Sequence, residues 1–189
     1  MRHGTFLRYV HPRPSSMKHR AALGAVALAC GATVCTATAQ ETVTTRLHGY
    51  QETPQTINTA GSGEFKASIH EDGTAIDYEL TYRNLSSSPA QAHIHFGRPG
   101  LSGGVVLFLC TNGTPPANVP APPACPAAPA TVRGTLTAAD LIPSAGQGID
   151  PGAAGFAEIL KAIGADAAYA NVHTTLHPSG EIRGRLGHD

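Results

Sequence analysis

Residues 61–82 leave this chain little choice of local structure. Phe65, Ala67 and Ile69 alternate with Glu64, Lys66, Ser68 and His70, the period of a strand with one buried face. Glu71-Asp72-Gly73-Thr74 follows, and Asp-Gly between two such runs is a strong hairpin turn. Ile76, Tyr78, Leu80 and Tyr82 then share one face of a second strand. A hairpin with one apolar face needs another layer to cover it, and further strands are at hand. Residues 42–50, 90–96, 105–110, 131–136, 168–175 and 181–186 are all read as strands. A loop broken by Pro54 (51–60) and a glycine-rich turn (97–104) separate some of them. Thr137-Ala138-Ala139-Asp140 has the spacing of a capping box, which predicts a helical turn over 138–142, ended by Pro143. Asp150 as N-cap with Pro151 at the first helical position predicts a helix carrying Phe156, Ile159, Leu160 and Ile163 on one stripe and ended by Gly164. The expected fold is mainly β: an antiparallel sandwich or barrel, Greek-key-like, with one short helical insertion.

The N-terminus carries a different message. Arg2, Arg8, Arg13, Lys18 and Arg20 lie in a stretch without acidic residues; an apolar run (21–35) and Ala37-Thr38-Ala39 follow. That is the order of a secretory signal, so residues 1–39 are expected to be cleaved and 40–189 to form one domain. Met17 opens a more ordinary signal and is the candidate true start. Acylation at Cys30 is an alternative, but Ala27-Leu28-Ala29 lacks the leucine usual three residues upstream. The apolar run is too short to span a membrane, so no span remains after cleavage. Residues 40–189 hold 8 basic and 13 acidic residues. A net charge of −5 leaves no electrostatic footprint for nucleic acid. The expected location is therefore periplasmic or secreted.

Export also changes the meaning of cysteine. Cys30 and Cys35 depart with the signal, leaving Cys110 and Cys125 as a pair in an oxidising compartment. A disulfide between them is predicted. It would close a proline-rich loop that has few means of ordering itself.

One constellation carries candidate chemistry. Ala92-His93-Ile94-His95 and Ala170-Asn171-Val172-His173 share a pattern. Strand alternation puts His93 and His95 on one face and Tyr169, Asn171 and His173 on another, with the small and branched residues turned to the core. The histidines are thus expected on polar faces. If the two strands are neighbours, three imidazoles converge, and neutral imidazole is the commonest protein ligand for copper and zinc. Tyr169, His177, Glu52 or Tyr82 are candidates for a fourth ligand. The alternative is that the histidines hydrogen-bond to backbone or carboxylates and stiffen the sheet. No G-x-S-x-G or phosphate-cradling loop is present, and no catalytic residue is assigned. Glu181 and Arg183 read as a solvated strand face.

Several of these pieces together carry a likeness. Leu47-His48-Gly49-Tyr50-Gln51-Glu52-Thr53-Pro54, the Asp72-Gly73-Thr74 turn and Ala92-His93-Ile94-His95-Phe96-Gly97 come first. Gly103-Gly104-Val105-Val106, Tyr169-Ala170-Asn171-Val172-His173-Thr174 and Gly180-Glu181-Ile182-Arg183-Gly184 follow. In this order they resemble the CHRD domain, named for the animal protein chordin and found in many secreted microbial proteins. The resemblance runs over residues 44–186. It implies a β-sandwich-like fold and export. In chordin-like proteins the domain belongs to an extracellular binding protein, not an enzyme. The His-x-His strand is also similar to the copper strand of Cu,Zn superoxide dismutases, but no bridging histidine or second metal cluster accompanies it. The expectation is an extracytoplasmic binding module, with copper or zinc as candidate cofactor and an extracellular protein or the metal ion as candidate partner. A dismutase-like copper enzyme and a purely structural domain are the alternatives.

Overall fold

The computed structural model describes residues 41–187. Residues 1–39, expected to be a signal, lie outside the described residues, Met17 and Cys30 among them. Eight antiparallel strands form one sheet in two runs. The first comprises β1 (Glu41–His48), β2 (Ser62–Ile69), β3 (Ala75–Arg83) and β6 (Ala130–Thr137). The second comprises β4 (Pro89–Phe96), β5 (Gly104–Thr111), β7 (Ala168–Thr174) and β8 (Ile182–Leu186). The strand order is β5-β4-β7-β8-β1-β2-β3-β6. The hairpin pairs Ile69 with Ile76 and Phe65 with Leu80, in the register its alternation demands. The two runs join where His48 of β1 meets Arg183 of β8.

The sheet curls until its edges, β5 and β6, approach each other. Tyr78 of β3 donates its hydroxyl hydrogen to the Leu109 carbonyl of β5 at 2.6 Å. Cys110 and Cys125 are disulfide-bonded, with Cα atoms 5.1 Å apart, which ties the proline-rich loop back onto β5. Asn112 holds the same loop by bonding both the N–H and the carbonyl of Cys125. The result is a nearly closed, mainly β barrel. Its interior is filled by Leu47, Phe65, Ile76, Leu80, Ile94, Leu107, Val172 and Ile182, among others.

One helix, α1 (Ala153–Gly164), lies at the barrel end where β2 turns into β3, and Phe156, Ile159 and Ile163 are its buried stripe. Its start differs from expectation. Asp150 is not the N-cap; Gly152 is, and no side chain caps the helix. Gly152 sits at φ +80°, so the chain turns there and helical backbone begins only after it. The Thr137–Asp140 capping box is present but holds a single 3-10 turn, Ala138–Asp140. Among the described residues no helix is long and apolar enough to cross a membrane.

Candidate metal centre

β4 and β7 are neighbours, in a register that pairs Gln91 with His173, His93 with Asn171 and His95 with Tyr169. Directly opposed residues share a face, so His93, His95, His173, Asn171 and Tyr169 occupy one patch on the outside of the barrel wall. β8 extends the patch, since Asn171 faces Arg183. The other face of these strands carries Ala92, Ile94, Ala170 and Val172, all fully buried in the barrel.

This outer patch is not the polar, solvated face that alternation implies. His93, His95 and His173 are 2, 7 and 7% exposed. Glu181 and Arg183, read from sequence as solvated, are 0 and 3% exposed. Three irregular segments roof the patch: residues 49–61, 97–103 and 175–180. Each donates anchoring groups. Thr59 of the first bonds Glu181, Gly103 of the second meets His95 and Tyr169, and Pro178 of the third meets His173. Strand periodicity reports which face a residue occupies; it does not report whether loops cover that face.

The three imidazoles each offer a nitrogen within 4.8 Å of the other two. Their remaining nitrogens face acceptors. His95 Nδ1 lies 3.0 Å from the Gly103 carbonyl and His173 Nδ1 lies 2.9 Å from the Pro178 carbonyl. A carbonyl can only accept, so both Nδ1 atoms carry the proton, and both Nε2 atoms present lone pairs to the cluster. His93 Nε2 lies 3.2 Å from Gln91 Oε1, and its Nδ1 lies 3.2 Å from His173 Nε2. If Gln91 accepts from His93, three lone pairs converge. His95 Nε2 is the telling atom: it is buried and has no hydrogen-bond partner.

The rings are held neutral. Burial, reinforced by the neighbouring histidines, pushes His93 down to about 2. Burial takes His95 to about 4 and lowers His173 as well. Neutral imidazole is the form that ligates a metal. Aromatic side chains fix the ring planes. Phe108 packs edge-on against His93 at 4.2 Å, and Tyr169 stacks on His95 at 4.6 Å with planes 5° apart. The Arg183 guanidinium lies 3.3 Å above the same Tyr169 ring.

A family model for the CHRD domain matches residues 43–186, from β1 to β8. The chain belongs to the CHRD-domain family. No curated protein and no solved structure matches it. The CHRD domain thus includes the whole barrel and both strands that bear the histidines.

Within this CHRD domain the four candidates for a fourth ligand are placed differently from the trio. The Tyr169 hydroxyl accepts from the Gly103 N–H at 3.1 Å. Glu52 accepts from Asn171. His177 sits in the β7–β8 turn, where its backbone carbonyl accepts from Gly180 and Thr174. Tyr82 donates to the Pro126 carbonyl at 2.6 Å, on the far side of the barrel. Neither Glu52 nor His177 belongs to the three-nitrogen group. Glu52 is nevertheless buried beside it. Burial raises its pKa to about 7 against the opposing pull of Arg183. Gly180, at φ +124°, makes room for it: a Cβ there would stand 2.7 Å from Glu52 Oε2 and 2.6 Å from Asn171 Nδ2.

Glu181 and Arg183 are the residues that sequence reasoning undervalued. Glu181 accepts from the Thr59, Ser86 and Thr174 hydroxyls and the Ser86 N–H. Arg183 donates to Thr53 and to the Leu101 carbonyl, so it pins two of the roofing segments. Behind Tyr169 lies a cavity of about 390 Å³ lined by Tyr50, Glu52, Tyr169, Arg183 and Arg185. A larger one of about 810 Å³, lined by Arg46, His48, Glu64 and Arg83, includes none of the three histidines. Chemistry, not volume, marks the site.

Proposed function

We propose that this CHRD-domain protein is an exported, extracytoplasmic binding module that holds copper or zinc through His93, His95 and His173. In this reading residues 1–39 are a signal peptide and residues 40–189 are the working domain. The observation that carries it is His95 Nε2. A buried polar atom without a partner costs about 1–3 kcal/mol. His48 Nδ1 is a second such imidazole nitrogen, but of these two histidines only His95 belongs to the group of three close nitrogens. Its outer nitrogen is committed to Gly103 and the inner one faces the cluster without a partner. Metal ligation gives that lone pair a role, and outer carbonyl acceptors that orient ligating histidines are the usual companions of such sites.

Burial of all three rings argues for holding an ion rather than turning over a substrate on it. The signal-peptide pattern and the disulfide support a location outside the cytoplasm, where the CHRD resemblance also points. Titration of the purified chain with copper and zinc by calorimetry tests the reading. One equivalent should bind the unmodified chain, and binding should be lost in His95→Ala. Equal affinity in both would remove the site. Mass spectrometry of the exported protein tests the rest: the expected N-terminus is Gln40.

A further inference from the structure

The donor set says more about the ion than its elemental identity alone. Resting on the metal-binding reading, we infer that the site is built for monovalent copper in preference to zinc or divalent copper.

Three features converge. The first is charge. All three donors are neutral imidazoles, and their outer partners are also neutral: the Gly103 carbonyl, the Pro178 carbonyl and the Gln91 amide. No carboxylate belongs to the ligand group among the described residues, and no hydrogen bond to a carboxylate raises the basicity of any of the three rings. The cost of desolvating an ion rises with the square of its charge, so a bare divalent ion here would incur about four times the penalty of a monovalent one. The Arg183 guanidinium, stacked on the far face of the Tyr169 ring that itself stacks on His95, adds another positive charge behind the ligands.

The second feature is coordination number. Zinc sites complete a tetrahedron with a fourth protein ligand or a water, and divalent copper prefers tetragonal surroundings. Here the nearby oxygen donors are committed elsewhere. The Tyr169 phenol is engaged with Gly103 and the Glu52 carboxyl with Asn171. Monovalent copper is a closed-shell ion that takes two or three nitrogen donors without an electronic preference for a fourth.

The third feature is enclosure. The roof and the flanking rings of Phe108 and Tyr169 keep the ligands buried. Oxidation to divalent copper would demand extra ligands and a larger charge in the same dry space. The protein environment therefore stabilises the reduced ion.

The test uses the unmodified purified chain, so it does not depend on a variant folding. Under anaerobic conditions with ascorbate, the chain competes with bathocuproine disulfonate for monovalent copper. In parallel it competes with 4-(2-pyridylazo)resorcinol for zinc. The expected result is one equivalent of monovalent copper held more tightly than zinc, the direction that the charge argument gives. The copper-loaded chain should also remain free of a divalent-copper paramagnetic resonance signal on exposure to air. Zinc affinity equal to or above that for monovalent copper would overturn the inference. So would prompt appearance of a protein-bound divalent-copper signal, and in either case the metal-binding reading would stand. Failure to bind any of the three ions would overturn both.

Discussion

The two halves of the barrel wall obey the same alternation rule and end in opposite environments. In β2, β3 and β6 the outward residues meet water. Lys66 pairs with Glu64, Arg133 with Glu79 and His70 with Asp77, all on a solvated surface. In β4, β7 and β8 the outward residues His93, His95, Tyr169, Asn171, His173 and Arg183 are buried, and Gln91 and Arg185 at the margins are partly exposed. The first half is an ordinary half-buried antiparallel sheet. The second has apolar residues on one face and polar residues on the other, yet both are withdrawn from water. Burying polar groups costs free energy unless each finds a partner. The roof is therefore a cost that only dense hydrogen bonding or a bound ion can offset. Glu181 shows the first solution, with four donors around one carboxylate. His95 Nε2 is left for the second.

The sharpest way to break this contrast is to remove a ligand. His95→Ala should lower metal affinity by more than the roughly 10- to 100-fold that loss of an outer hydrogen-bond partner costs, read by calorimetry. Cutting the seam between the halves comes next. Reduction of Cys110–Cys125, which spans 15 positions, should lower stability by about 3 kcal/mol on the chain-entropy account. Urea unfolding with and without reductant measures it. An unchanged midpoint would mean that the proline-rich loop is ordered without its bridge, for example by Asn112 alone.

The sequence was most legible where structure is local. The Asp72-Gly73 turn follows from turn chemistry. Phe65, Ala67 and Ile69 in the strand and Phe156, Ile159 and Ile163 in the helix follow from period and are buried as it requires, while Leu160 of the same stripe is partly buried. The shared context of His93, His95 and His173 was visible because two strands repeat it. What the pattern could not carry was the roof. Residues 49–61, 97–103 and 175–180 have no periodicity, so nothing local says that they fold over one face. Glu181 and Arg183 alternate like any exposed strand pair, and their burial comes from partners such as Ser86 and Leu101, far away in sequence. In the sequence Glu52 is one of four candidates for a fourth ligand, with nothing local to place it. Its coupling to Asn171 spans 119 positions.

The two buried carboxylates of the roofed half should respond to pH in opposite senses. Burial alone would raise Glu181, but its hydrogen bonds outweigh that and hold it below the ordinary carboxylate value. Its stabilisation is therefore present above the unfolded-state pKa and is lost as pH falls through the lowered folded value. Glu181→Gln should cost about 2–3 kcal/mol at pH 7, and the deficit should shrink in acid. Glu52 behaves inversely. Its folded pKa of about 7 exceeds the ordinary carboxylate value of 4.5. Its contribution is therefore complete below 4.5, declines as pH rises, and is gone above about 7. Glu52→Gln, which imitates the protonated form, should match the unmodified chain near pH 4.5 and exceed it by about 3 kcal/mol at pH 8. Urea unfolding across this range measures both. Parallel pH profiles for the two variants would show that the carboxylates are not environmentally distinct.

The smallest expected effect lies on the solvated half, and it is the control on which the comparison depends. Arg133 reaches Glu79 at 2.6 Å, but the two side chains are 67 and 33% exposed. Water already solvates both charges, so their attraction is screened, and holding two long side chains in one geometry costs entropy. Arg133→Ala should therefore change stability by less than about 0.5 kcal/mol. That difference should vanish at about 1 M salt, where the screening length falls to roughly 3 Å. Urea midpoints at low and high salt decide the matter. A loss above about 1 kcal/mol that survives salt is not the behaviour of an exposed pair. It would mean that the outer face of β3 and β6 is also structurally loaded, and the asymmetry that singles out β4, β7 and β8 as the functional wall would weaken accordingly.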